Sequence, residues 1–285
     1  MLDFRFFDAK GSLSIVERKL PHWSQAGVIS FLTFRAHDSM PKAVVAKFLQ
    51  ERNDWLMRLG IDSQLKDWKS RLAQLGRKTE QEFLQHFSDR WNDELDNCHG
   101  ACALRDPNCA EIVENSLQHF DGDRYELTDF VVMPNHVHVL VAFPDEDSLL
   151  KQCESWKHFT ATKINRLVGQ RGRYWEQDGF DHLLRSDVQF EYLRGYIANN
   201  PVTARLRPGE FLYFSKDLKS TEGNQELLRG HHAERDEYID STHHAPRDVL
   251  RSPTLETIKG VVRGMACLRD RAAVAIPNRR DAIPS

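Results

Sequence analysis

Two histidines separated by one apolar residue, inside a run of valines, constrain this chain more than any other feature. The run occupies residues 131–141 and reads VVMPNHVHVLV. Because side chains alternate across a β-strand, His136 and His138 leave one face while Val137 and Val139 leave the other. The sequence therefore predicts a strand that packs on a core with one face and presents two imidazoles on the other.

This histidine pair has two interpretations. Imidazole nitrogens bind several divalent ions, so a His-x-His pair on one face of a strand is able to chelate a metal. The same pattern is typical of two hydrogen-bonded histidines on a half-buried strand, and the pair alone favours that structural interpretation. The feature that favours the metal site lies about sixty residues downstream.

Composition narrows the class of protein. The chain has 285 residues, of which 40% are hydrophobic and 28% charged, as in ordinary soluble globular proteins. It contains no apolar run near the roughly 20 residues that span a bilayer, and its N-terminus lacks a signal-peptide pattern, so we expect a cytoplasmic protein without membrane contact. The net charge of −3 disfavours nonspecific coating of nucleic acid but permits a local basic groove.

The five cysteines are expected to be reduced in such a protein. Cys98, Cys102 and Cys109 cluster beside His99. Structural zinc sites usually show two close pairs of ligands, which this spacing does not provide. We therefore expect free thiols here and no zinc.

The order of predicted elements indicates an α+β fold. A first strand at 27–35 is followed by helices, and the short connection at 133–135 predicts an antiparallel hairpin. We expect a ferredoxin-like antiparallel sheet with helices on one face and a helical insertion, at about 60–105, after the first strand. Residues 1–215 would form this domain, and the polar residues 216–285 a partly disordered tail with one late helix.

A predicted helix at 188–200 carries the second motif. Tyr196 and Asn200 are four residues apart, so they share a helix face, and Pro201 is expected to end the helix. A phenol and an amide near two imidazoles would make a metal site with a tyrosine nucleophile. By themselves, the two residues favour a packed tyrosine and an asparagine at a helix end.

Together, the motifs at 132–138 (VMPNHVH) and 196–202 (YIANNPV) resemble those of REP-associated tyrosine transposases, members of the single-tyrosine HUH transposase superfamily. The segments at 100–105, 156–160, 174–176 and 182–185 also match the family pattern. The resemblance covers about residues 25–215, and the order and spacing of the two main motifs are specific.

This resemblance implies a metal-dependent endonuclease and strand transferase that acts on single-stranded or hairpin DNA, as a monomer or homodimer. In the family, the histidines and an amide or carboxylate side chain hold Mg²⁺ or Mn²⁺, and the tyrosine forms a 5′-phosphotyrosine. These roles carry over to His136 and His138 as metal ligands with catalytic function, Asn200 as the third ligand, and Tyr196 as the nucleophile.

Residues 157–207 contain nine Lys and Arg against five Asp and Glu, an excess of positive charge inside an acidic chain. The cations Lys157, Arg171, Arg173 and Arg185 are predicted DNA contacts, because charge-assisted contacts to phosphate supply most of the affinity. Trp175 is either a base-stacking or a buried residue.

Two alternatives to the enzyme stay open. One is a domesticated hairpin-binding protein without turnover, and the other is a hydrolase of small phosphoesters, although the chain lacks a second cluster of ligands for two metals.

Overall fold

The computed structural model describes residues 4–18 and 21–216. The predicted tail, with its late helix, therefore lies outside the described residues from residue 217 onward. The strands are Ser14–Glu17 (β1), Pro21–Ser24 (β2), Ile29–Arg35 (β3), Glu126–Val132 (β4), His136–Ala142 (β5), Phe180–Leu183 (β6) and Leu212–Ser215 (β7). The helices are Lys42–Arg58 (α1), Trp68–Gln74 (α2), Arg77–Asp96 (α3), Pro107–Gln118 (α4), Ser148–Leu167 (α5) and Asp187–Thr203 (α6), with a 3₁₀ turn at Ala103–Arg105.

Five strands form one antiparallel sheet in the order β6-β3-β5-β4-β7. The β4–β5 hairpin lies inside the sheet, and every residue of both strands is buried. This confirms the predicted α+β class, the antiparallel sheet and the hairpin.

Helices cover both faces of the sheet, so the prediction of helices on one face is wrong. The face that carries Val137 and Val139 packs with Trp156 of α5 and with α4 in one core. The opposite face carries Leu140, which packs with Ile197 of α6 in a second core. The reason is that β5 has apolar residues on both faces, and a sheet with two apolar faces needs cover on each.

The helices α1, α2 and α3 pack on one another around a separate cluster that includes Phe48, Leu56, Phe83 and Phe87. The helices α2 and α3 lie within the insertion predicted at about 60–105. The helix α1 precedes that range but packs in the same cluster. None of the described helices has the length and hydropathy needed to cross a membrane.

Two local expectations are corrected. The strand at 27–35, predicted as the first, is preceded by the antiparallel pair β1–β2, whose strands of four residues are too short for a clear alternation. The helix α6 continues through Pro201 to Thr203, because a proline there removes only one backbone donor while its ring is buried.

The cysteines also differ from expectation. Cys98 and Cys102 form a disulfide, whereas Cys109 and Cys153 are free. Within the described residues, no group of three or more His, Cys, Asp and Glu is arranged to hold a metal. The absence of zinc nevertheless stays a prediction, and Cys267 lies outside the described residues.

Candidate catalytic and metal-binding site

The two histidines of β5 leave the sheet on the face covered by α6. Their side chains are almost completely buried, with exposed fractions of 1% for His136 and 3% for His138. Their ring centroids are 4.8 Å apart. This is the arrangement that strand alternation predicts, and α6 determines what the imidazoles face.

Each imidazole is oriented by a hydrogen bond at Nδ1. Asn135 donates from Nδ2 to the carbonyl of Leu95 at 3.0 Å, which turns its Oδ1 toward Nδ1 of His136 at 2.8 Å. Because an amide oxygen only accepts, Nδ1 of His136 carries the proton and Nε2 keeps a lone pair. On the neighbouring strand, Oγ1 of Thr33 lies 2.7 Å from Nδ1 of His138. Both Nε2 atoms are therefore left for the interior of the site.

Two acceptors in this interior lack a protein partner. Nε2 of His136 and Oδ1 of Asn200 are buried and make no hydrogen bond to any described residue. A buried, unsatisfied polar group costs about 1–3 kcal/mol, so such groups need an explanation, and a role as ligands of a cation is one. Two lone pairs from imidazole and amide suit a divalent cation. The residues present thus fit the expected metal, and His136, His138 and Asn200 are the candidates to hold it.

The site keeps its titratable groups uncharged. Burial lowers the pKa of His136 to about 3, a shift that the nearby Asn200 side chain opposes, and it lowers the pKa of His138 well below its ordinary value. Neutral imidazoles are the form that binds metals. Burial and, next, the Asp96 carboxylate raise the pKa of Tyr196 above its ordinary value, so the phenol stays protonated unless a cation stabilises the phenolate.

Tyr196 is the tyrosine that faces the histidines. Its hydroxyl oxygen lies 3.5 Å from Nε2 of His138, and its ring meets the edge of Phe31 at a centroid distance of 6.1 Å. Tyr192, one turn earlier on α6, is 42% exposed. The structure therefore brings together the four residues that the two motifs predicted.

Sequence reasoning missed three further residues at this site. Thr33 and Arg35 of β3 are the cross-strand partners of His138 and His136. Polar residues at alternate positions of an otherwise apolar strand were the available signal. Asp96, at the end of α3, was not signalled by any pattern. Burial, followed by repulsion from Asp93, raises the pKa of Asp96 to about 6.

One known protein family matches the part of the chain that carries this site. Residues 105–200 match the family described as transposase, IS200 like. This segment of the chain is similar to IS200-like transposase domains. The match spans about a third of the 285 residues and includes His136, His138, Tyr196 and Asn200. It confirms the predicted relationship to tyrosine transposases.

A solved structure of a REP-associated tyrosine transposase bound to a REP hairpin aligns with 66% of this chain and 73% of that chain. The identity is 13% and the TM-score 0.34, too low to transfer function. The comparison with curated proteins gives no match.

A buried ion pair fixes α6, the helix that carries Tyr196, to the sheet. Asp129 of β4 is fully buried, and Nε of Arg194 donates to its two carboxylate oxygens at 3.1 and 3.0 Å. Ser215 of β7 donates to the same carboxylate at 2.6 Å and accepts from Nη2 of Arg194 at 2.9 Å. This ion pair therefore holds α6, and with it Tyr196 and Asn200, against the sheet.

Two of the predicted DNA contacts prove to be structural. Trp175 is 4% exposed, packs edge-on against Phe34 at 4.9 Å and donates from Nε1 to Oγ1 of Thr160 at 2.8 Å, so its ring is not available to a base. Lys157 lies on α5, across the sheet from the histidines, and donates to the carbonyls of residues 176 and 177 at 3.3 and 2.6 Å. Of the two alternatives for Trp175, the structure therefore favours burial. For Lys157 it places the side chain on the far face of the sheet, which a sequence alone does not show.

The remaining three predicted contacts are exposed. Arg171 and Arg173 lie in the loop that follows α5. Next to them, Tyr174 accepts the backbone hydrogen bond of His37 at 2.8 Å, two residues beyond the strand position that pairs with His136. The loop therefore lies at the same end of the sheet as the histidine site. Arg185 is also exposed, with its guanidinium 5.3 Å from the ring centroid of Phe7.

Proposed function

We propose that this protein is a metal-dependent endonuclease and strand transferase for single-stranded DNA that forms a 5′-phosphotyrosine, in the manner of a REP-associated tyrosine transposase. One observation carries the proposal. The hydroxyl of Tyr196 lies 3.5 Å from Nε2 of His138, in a buried site where Nε2 of His136 and Oδ1 of Asn200 have no partner. A nucleophile beside an incomplete ligand set is the arrangement that covalent phosphoryl chemistry needs.

The metal would be Mg²⁺ or Mn²⁺, held by His136, His138 and the amide oxygen of Asn200. Imidazole with an oxygen ligand is compatible with both ions, and oxygen is the ligand that Mg²⁺ prefers. When bound, the ion supplies Lewis-acid stabilisation of the charge on the phosphate and lowers the pKa of the phenol. The hydrogen bonds of the two imidazoles with Oδ1 of Asn135 and Oγ1 of Thr33 hold them in place for this role.

In the chemical step, Oη of Tyr196 attacks the scissile phosphorus and loses its proton to solvent. The bond between phosphorus and the 3′ oxygen breaks, and that oxygen takes up a proton to become a free 3′-hydroxyl. The product is a 5′-phosphotyrosine. Attack by a second 3′-hydroxyl reverses the exchange and joins a new strand, so one site performs both cleavage and transfer.

DNA that forms a hairpin next to the cleaved strand is the proposed substrate. The resemblance of the two motifs to those of REP-associated transposases supports this substrate. Residues 155–173 contain five Lys and Arg and no Asp or Glu. Arg171 and Arg173 are exposed at the end of the sheet near the histidines, and such charges bind phosphates of any sequence.

The test is a covalent-adduct assay with an oligonucleotide that carries a single-stranded segment beside a hairpin, in Mn²⁺ and in Mg²⁺. The wild-type chain should give a band that survives denaturation. Tyr196→Phe removes one oxygen from a half-buried ring, so it should keep hairpin binding and lose the band. Tyr192→Phe is the matched control on the same helix and should keep it.

Mapping the adduct to Tyr192 would contradict the assignment of the nucleophile. Tight hairpin binding by the wild-type chain, with no adduct in either metal, would favour the alternative of a domesticated hairpin-binding protein.

A further inference from the structure

Arg35 occupies the last position of β3, beside the metal-ligand histidines. It is the cross-strand partner of His136 in the antiparallel β3–β5 pair. Directly opposite residues of such a pair leave the same face of the sheet, with Cβ atoms about 4.5–5.5 Å apart. The side chain of Arg35 therefore starts on the face of the candidate site, next to one of its ligands.

The guanidinium is held from several directions. Nη1 donates to Oγ of Ser39 at 3.1 Å and to the carbonyl of Ala36 at 3.5 Å. Nη2 lies 3.7 Å from Oε2 of Glu176, and the ring centroid of Trp91 is 5.8 Å from the guanidinium carbon. With an exposed side-chain fraction of 15%, the group sits in a restricted position rather than free in solvent.

This arrangement leaves donors unused. Among the described residues, the hydrogen bonds of Arg35 all leave from Nη1, and the carboxylate of Glu176 is beyond hydrogen-bond distance of Nη2. A half-buried guanidinium with one distant carboxylate is only partly compensated, because a buried charge needs close hydrogen-bonded partners. The free edge of the fork matches two oxygens of a phosphate, the ligand geometry for which arginine is best suited.

We infer that Arg35 binds a non-bridging oxygen of the scissile phosphate and stabilises the charge that builds up there during attack by Tyr196. This inference rests on the proposed function, because it assigns a catalytic residue for the same reaction. Its place in the site differs from that of the three ligands. They hold the cation, whereas Arg35 brings a fixed positive charge from the neighbouring strand, already oriented before the DNA binds.

A purely structural role is the competing account, because Arg35 also joins β3 to Trp91 of α3 and to Glu176. The two accounts differ in what they predict for an uncharged phosphate. A guanidinium that acts on phosphate charge loses its effect when a methylphosphonate replaces the scissile phosphate. A guanidinium that only holds the fold affects both substrates equally.

The experiment measures single-turnover adduct formation with both substrates at saturating DNA and Mn²⁺. Arg35→Gln should slow the reaction of the ordinary phosphate by about 10²–10³-fold, the usual effect of removing one such donor. On the methylphosphonate, Arg35→Gln and wild type should react at the same rate. Arg35→Lys, which keeps the charge and loses the fork, should recover part of the rate on the ordinary phosphate.

Matched measurements separate the possible outcomes. The Mn²⁺ affinity and the hairpin affinity of Arg35→Gln should stay within about twofold of wild type. Its melting temperature should stay within a few degrees of wild type. Glu176→Gln, which breaks the same ion pair, should keep the wild-type rate. A wild-type rate for Arg35→Gln, an equal loss on both substrates, or the same loss in Glu176→Gln would overturn the inference. If the wild-type chain itself forms no adduct with the ordinary substrate, the proposed function fails instead.

Discussion

Nδ1 of His136 donates to Oδ1 of Asn135 across 2.8 Å, and the same amide donates to the carbonyl of Leu95 at the end of α3. One asparagine thus joins the helical insertion to a proposed metal ligand. Because it decides which nitrogen of His136 carries the proton, it also decides that Nε2 is the atom offered to the site.

Replacing this asparagine should weaken metal binding without removing a ligand. We expect Asn135→Ala to raise the dissociation constant for Mn²⁺ by about 10–100-fold, the usual effect of losing a partner that orients a ligand. Isothermal titration calorimetry of the full chain measures it. Asn199→Ala, at an exposed position of α6, is the control and should bind as wild type does. Unchanged affinity in Asn135→Ala would show that the amide does not orient the ligand.

The exposed arginines after α5 should contribute to DNA affinity through phosphate contacts. Arg171→Ala with Arg173→Ala should weaken hairpin binding. It should also lower the slope of log K against log salt by roughly 1.5, since each lost contact removes about 0.7–0.9. Fluorescence anisotropy at several salt concentrations provides both values. Lys78→Ala, a 91% exposed cation on α3, should leave the slope as it is. An unchanged slope in the double variant would place the DNA elsewhere.

The ion pair between Arg194 of α6 and Asp129 of β4 should contribute strongly to the unfolding free energy. Arg194→Met leaves the fully buried carboxylate of Asp129 without its charged partner, so we expect a loss of about 3–5 kcal/mol in unfolding free energy. Urea unfolding measures it, with Arg166→Met at an exposed position of α5 as the control. Adding Asp129→Asn removes the unpaired charge and should restore part of the loss. A double variant no more stable than Arg194→Met would mean that charge burial is not the cause.

Asp96 should make stability depend on pH in a defined direction. Its pKa is raised from 3.8 to about 6, so the folded state binds this proton more tightly than the unfolded state does. Stability contributed by Asp96 is then highest below about pH 4, falls as the pH rises toward 6 and stays low above it. In metal-free buffer, Asp96→Asn should therefore be more stable than wild type at pH 7.5.

For a half-buried carboxyl, solvent screening reduces that gain to the order of 1 kcal/mol. Thermal melts from pH 4 to 8 provide the comparison, and the gain should shrink toward pH 4. Asp123→Asn, at an exposed turn position, should show no such trend. A gain in Asp96→Asn that does not change with pH would mean that the charge of Asp96 is not its source.

Local periodicity was enough to predict the pairs that carry the proposed chemistry. Alternation along a strand places His136 and His138 on one face, and a spacing of four places Tyr196 and Asn200 on one side of a helix. A three-residue connection was enough to predict the β4–β5 hairpin. Each of these relations depends only on the geometry of one element or one turn, so the amino-acid sequence by itself determined it.

Relations between distant segments were decided only by the tertiary structure. Arg35 and His136 are about a hundred residues apart in the chain, and only the strand order makes them neighbours. The tertiary structure also places Lys157 on the far side of the sheet and buries Trp175. Charge and aromatic character alone had favoured both residues as DNA contacts. The covering of both faces follows from packing as well, because the free energy of burying α6 against the sheet exceeds any local preference of its sequence.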